Sequence, residues 1–145
     1  MGKSKKTFYD NHQFDSMLEV SFYKVLKTKG ITFIPHPPTV TLQEGYTALA
    51  VMKSGKISRS KIRSISYTTD FELKLNNGHS IFIEAKGWWR SGDASKIRWK
   101  MFHNQLAAGD YGFVAKNLKE LNLIIDFYRE SNLLIRNEDE AMELL

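Results

Sequence analysis

Between Asp70 and Gly87 the chain reads Asp-Phe-Glu-Leu-Lys-Leu-Asn-Asn-Gly-His-Ser-Ile-Phe-Ile-Glu-Ala-Lys-Gly, and no other stretch narrows the possible folds as much. Asn77-Gly78 separates two apolar-rich runs. Both residue types tolerate positive φ, so the pair predicts a β-hairpin. Side chains two apart on a strand share a face. Glu84 and Lys86 therefore point the same way at the end of the second strand, and Asp70 reaches them from the first. Two carboxylates and an ammonium at one end of a hairpin form a candidate divalent-metal site with a lysine beside it.

Around this hairpin the sequence predicts a mixed α/β domain. Phe14, Met17, Leu18, Phe22, Val25 and Leu26 recur at helical spacing over 14–29, and Gly30 follows as a C′ residue. Ser16-Met17-Leu18-Glu19 matches a capping box, with Glu19 reaching back to the Ser16 N–H; Glu19 also lies beside the apolar stripe. Strands are expected at 31–34 and 39–42, on either side of Pro35, Pro37 and Pro38. Residues 35–66 read as an irregular insert or hairpin. A helix over 94–107, capped by Ser91 or Asp93, turns Ile97, Met101 and Leu106 inward, with Trp99 and Phe102 nearby. A strand at 111–116 and a helix at 117–130 follow, although Leu123-Ile124-Ile125 also fits a buried strand. Residues 133–136 are a short strand candidate. The alternation places a central mixed β-sheet between helices.

Length and composition bound the rest. At 145 residues, 42% hydrophobic, the chain is expected to be one domain spanning 1–145 with a sizeable core. It has no cysteine, which removes disulfides and thiolate zinc sites and suits a reducing, cytoplasmic compartment. No apolar run approaches the roughly 20 residues of a membrane span, and no signal segment follows the basic start. Residues 1–100 hold 17 Lys and Arg against 8 Asp and Glu; residues 101–145 hold 4 against 8. A basic body with an acidic tail (137–145) fits a polyanionic partner, nucleic acid first. Residues 1–12, with Lys3, Lys5 and Lys6, read as a basic flexible arm. Lys56, Arg59, Lys61 and Arg63 interleave with isoleucines before Asp70. This segment is either a solvated edge or a surface for phosphate, to which Arg90, Lys96 and Lys100 would add. His36, His79 and His103 show no ligand spacing. Trp88 and Trp89 are expected to pack beneath the site rather than to stack on a base.

Three readings of the hairpin charges follow. They are ordinary solvated residues, or a magnesium-type site that hydrolyses phosphodiesters, or the remnant of one in a module that binds DNA without cutting it. Hard carboxylate oxygens suit Mg²⁺, and an adjacent lysine offsets charge on the phosphate.

Four fragments occur in order: Ser16-Met17-Leu18-Glu19, Lys29-Gly30-Ile31-Thr32-Phe33, Tyr67-Thr68-Thr69-Asp70-Phe71, and Glu84-Ala85-Lys86-Gly87. Together they resemble the PD-(D/E)XK nuclease superfamily. Within it, they are most similar to the phage junction-resolving enzymes typified by endonuclease I and to small phage proteins like them. The resemblance covers residues 14 to about 105, and Thr69 stands where the family usually has proline. It implies a restriction-endonuclease-like core and a DNA endonuclease that uses Mg²⁺ or Mn²⁺, two ions per active site. Asp70, Glu84 and the Ala85 carbonyl would be metal ligands, Lys86 the catalytic lysine, and Glu19 would complete the site. It further implies a homodimer acting in recombination on branched DNA such as Holliday junctions, in the host cytoplasm if phage-encoded. A repair nickase or a transposition-type cutting subunit on the same fold is the alternative.

Overall fold

The structure, a computed structural model, describes residues 6–89 and 93–143, with side chains described as far as residue 132. Lys3, Lys5, Arg90 and Ser91, and the side chains of the acidic tail, lie outside the described residues.

The chain is a mixed α/β fold around a four-stranded sheet ordered β10-β9-β8-β3. Its strands are β3 (Phe33–Pro35), β8 (Phe71–Lys74), β9 (Ser80–Ala85) and β10 (Tyr111–Ala115). β9 pairs antiparallel with β8 and parallel with β10, and β3 pairs antiparallel with β8. A parallel pair needs a crossover, which α2 (Ala94–Asn104) supplies between β9 and β10. Alternation along β9 serves two cores. Ile81, Ile83 and Ala85 face α1 (Met17–Thr28) and α3 (Leu118–Glu143), where they meet Phe22, Leu26, Phe71, Leu73, Leu121 and Ile125. Phe82 faces the other way, toward Trp99 and Phe102 of α2 and Tyr67 of β7 (Ile65–Tyr67). Each fully buried large side chain contributes roughly 1.5–3 kcal/mol. No helix among the described residues is long and apolar enough to cross a membrane.

Several local expectations change. Residues 7–14 are not a free arm: β1 (Thr7–Tyr9) and β2 (His12–Phe14) form a hairpin. Asp10 and Asn11 both take positive φ (50° and 63°), as a two-residue type I′ turn requires. The Asp10 carboxylate accepts from the Tyr23 hydroxyl at 2.5 Å and pairs with Lys27, which pins this hairpin to α1. At the Asn77-Gly78 turn only Gly78 is left-handed (φ 86°). The loop there is longer: Leu75 N donates to His79 O, and Gly78 N donates to Leu75 O.

The insert at 35–66 is a hairpin region rather than an irregular one. β4 (Val40–Gln43) pairs with β7, and β5 (Tyr46–Val51) pairs along its whole length with β6 (Ile57–Ile62). On α2 the buried face centres on Trp99 and Phe102, and Met101 and the following Leu106 pack half-buried against the same cluster as expected. Ile97 alone departs from the expected inward set, at 55% exposed, because the aromatic pair fills the space under Tyr67. Finally, residues 133–136 form no strand; they continue α3, whose helix runs from Leu118 to Glu143.

Candidate active site

Three elements bring Glu19, Asp70, Glu84 and Lys86 to one cleft of about 670 Å³, whose wall β7 and α2 complete. The start of α1 brings Glu19. Ser16 caps this helix, its hydroxyl accepting the Glu19 N–H at 3.2 Å. The Glu19 side chain returns to the Asp15 N–H (2.7 Å), one residue before the position a capping box predicts. That bond leaves Glu19 4% exposed and turned toward the sheet. β8 and β9 bring the rest. Phe71 lies opposite Ile83, a register that carries Asp70 alongside Glu84 on the α2 face. Lys86 follows on the same face, its N–H tied to Ala115 O at 3.0 Å. Glu19, Asp70, Glu84, Ala85 and Lys86 all line the cleft.

The electrostatics are those of crowded carboxylates. Burial pushes Asp70 well above the ordinary carboxyl range. A hydrogen bond with Glu19 and the charges of Glu84 and Glu19 push the same way, and only the Ala85 N–H, 2.8 Å from Asp70 Oδ2, opposes them. Glu84 is raised from 4.5 to about 7, chiefly by burial and also by Glu19, against the pull of the Tyr67 hydroxyl and of Lys86. The Tyr67 hydroxyl donates to Glu84 Oε2, and burial and that carboxylate push the phenol up. Buried carboxyls held at such values are a common mark of functional sites, because a cation or a proton is needed to neutralise them.

The donor set is all hard oxygen, which suits a magnesium-like ion held by Asp70 and Glu84 with Glu19 nearby. Among the described residues, however, no three acidic or histidine side chains are closed around a common point. Glu19 spends one oxygen on Asp15 and Glu84 one on Tyr67. The carboxylates approach the cleft without forming a ready-made cage.

Tyr67 and Arg98 are among the lining residues to which the sequence assigned no role. Tyr67 appeared only as a motif letter, and Arg98 was passed over between Lys96 and Lys100. Arg98 reaches the cleft with Ser95, one helical turn earlier, because the burial of Trp99 and Phe102 sets the rotation of α2. That placement was hidden by the apolar Ile97, which is exposed. Of the tryptophans, Trp89 packs against the Tyr67 cluster as expected, whereas Trp88 is 63% exposed at the cleft. The basic residues Lys56, Arg59, Lys61 and Arg63 lie outside the cleft, all exposed along β6 and its flanks. Lys96 and Lys100 are on α2, half-buried and exposed respectively, and neither lines the cleft. His36, although exposed, has a backbone role: it takes φ 49° between two prolines, and its N–H donates to Asp70 O at 2.9 Å.

No curated protein and no solved structure matches the chain. A family profile does, over residues 2–122, which include every cleft residue described above. By that match the chain belongs to the family described as Protein of unknown function (DUF1064).

Proposed function

We propose that this protein is a divalent-metal-dependent DNA endonuclease. The observation that carries the reading is the meeting of Glu19, Asp70, Glu84 and Lys86, from one helix and two strands, in a single cleft. Asp70 and Glu84 would hold Mg²⁺ or Mn²⁺, with the Ala85 carbonyl as a further ligand and Glu19 serving a second ion. The bound metal would supply positive charge to the scissile phosphate and lower the pKa of a coordinated water. The chain's own residues do the rest. Lys86 faces the phosphate and offsets its growing negative charge. Tyr67 fixes the orientation of Glu84, and Arg98 adds a second cation to the cleft wall. The basic surface supports a nucleic-acid substrate. The resemblance to junction-resolving nucleases supports branched DNA and a homodimer with two such clefts.

The test is cleavage of a four-way junction, a fork and a linear duplex in Mg²⁺ or Mn²⁺. The expected result is cutting with preference for the branched substrates, reduced about 10²- to 10⁴-fold in Lys86→Ala. Equal cutting of all three substrates would leave a general DNA endonuclease, such as a nickase or a transposition-type subunit. Binding without cutting would make the protein a DNA-binding module.

A further inference from the structure

The β5–β6 hairpin belongs to neither core. Each of its strands pairs only with the other. Its register sorts the side chains into two faces. One carries Tyr46 opposite Ile62, Ala48 opposite Ser60 and Ala50 opposite Ser58; Ala48, Ala50, Ser60 and Ile62 are half-buried, and Tyr46 and Ser58 are exposed. The other carries Thr47 opposite Lys61, Leu49 opposite Arg59 and Val51 opposite Ile57, and all six are exposed. Leu49, Val51 and Ile57 are 74%, 76% and 70% exposed, a concentration of bare aliphatic surface that ordinary folding does not account for. From 46 to 62 the chain has four cations and no acidic residue. A recess of about 400 Å³ at the base is lined by Gly45, Tyr46, Thr47, Arg59 and Lys61.

We propose that this ribbon is a duplex-DNA-binding arm, a reading that rests on the DNA-cutting function proposed above. Arg59 and Lys61 bind phosphates near the recess, and Leu49, Val51 and Ile57 lie against base edges in the groove. Two-stranded ribbons fit the major groove of B-DNA, about 12 Å wide, and six residues per strand reach about 20 Å along it. Two features favour DNA over a second copy of this chain. A symmetric contact would stack this face on its own copy, and from 46 to 62 it offers no carboxylate to pair with Arg59 and Lys61. The ribbon is also continuous with the cleft: β6 ends at Ile62, and Ser66 and Tyr67 already line the cleft wall. Gly45 anchors the base, where a Cβ would meet Ile62 O at 2.9 Å. A duplex held along the ribbon therefore leads to the carboxylates.

The experiment is fluorescence anisotropy with a labelled 20-base-pair duplex in EDTA, across a salt series, beside sedimentation of each protein. Binding is thereby read without metal or cutting. Arg59→Ala with Lys61→Ala is expected to weaken binding about tenfold or more and to lower the salt slope by about 2. Leu49→Thr with Val51→Thr and Ile57→Thr keeps strand propensity and charge; it is expected to weaken binding at an unchanged slope. The proposal is overturned if wild type does not bind the duplex, or if the charge variant keeps wild-type affinity and slope. It is equally overturned if the threonine variant turns a dimer into a monomer while each protomer binds DNA as before, which would make the face a self-association surface. A wild type that binds through the ribbon but cuts nothing in Mg²⁺ or Mn²⁺ would sink the nuclease reading alone.

Discussion

Glu19 shows how one side chain serves both a helix end and a cleft. Its carboxylate satisfies the Asp15 N–H, yet the same placement sets it beside Asp70 and Glu84. Crowding of this kind has a measurable cost. Glu84 ionises near 7 in the folded protein against 4.5 ordinarily, so between those values the folded state holds a proton that the unfolded chain has released. Stability is therefore expected to fall as pH rises from about 4.5 to about 7, by an amount on the order of 3 kcal/mol, and then level off. Glu84→Gln should raise the Tm at pH 8 and flatten this dependence, since the amide still accepts from Tyr67. Thermal unfolding of both proteins from pH 4.5 to 8 checks it; wild-type stability rising over that window would refute the assignment. Tyr67→Phe acts in the other direction. The Tyr67 hydroxyl lowers the Glu84 pKa, so its loss is expected to move the acid limb of the pH–cleavage profile to higher pH.

At the scale of elements, α2 is the clearest case of tertiary structure overriding a periodicity. Met101 and Leu106 pack half-buried as their spacing implies, but Ile97 is exposed and the helix buries Trp99 and Phe102 most deeply. Aromatic rings remove more area from water, and they meet Tyr67 and Phe82 at ring-centroid distances of 5.2–6.1 Å. Phe102→Ala is accordingly expected to cost about 3–5 kcal/mol in chemical denaturation, and Ile97→Ala under about 0.5. Similar costs for the two would return Ile97 to the inward face its spacing implies. Elsewhere the sequence was legible. The Ser16 cap, the Gly30 stop, the Asp93 cap and the strand at 111–115 all lie where local chemistry puts them. The turn at Asp10-Asn11 escaped notice because its flanking strands are only three residues long, too short for an alternation to register.

Across the whole molecule, the ribbon and the sheet are separable. No residue from 46 to 62 belongs to either core, so replacing 47–61 by a short turn is expected to leave the Tm within a few degrees while DNA binding falls. A large loss of Tm would mean that the ribbon supports the fold. The cleft makes a complementary prediction. The proposed metal site needs ionised carboxylates, so millimolar Mg²⁺ should raise the Tm more at pH 8 than at pH 5, and Asp70→Asn should abolish the difference. An equal shift at both pH values would speak against these carboxylates as ligands.

The sequence by itself determined what is local or periodic: the helix ends, the pairing of β8 with β9, and the shared face of Glu84 and Lys86. It also determined the two-layer alternation of β9, because a pleated strand has period two wherever it sits. Only the tertiary structure decided the rest. The approach of Glu19 to Asp70, the arrival of Arg98 at the cleft wall and the hold of Tyr67 on Glu84 each join residues distant along the chain. Such contacts depend on how helices rotate to bury their largest rings against the sheet, a choice made by packing volume rather than by spacing. The exposed face of the ribbon was decided in the same way: alternation says that Leu49, Val51 and Ile57 share a side, but only the fold shows that none of the described residues covers it.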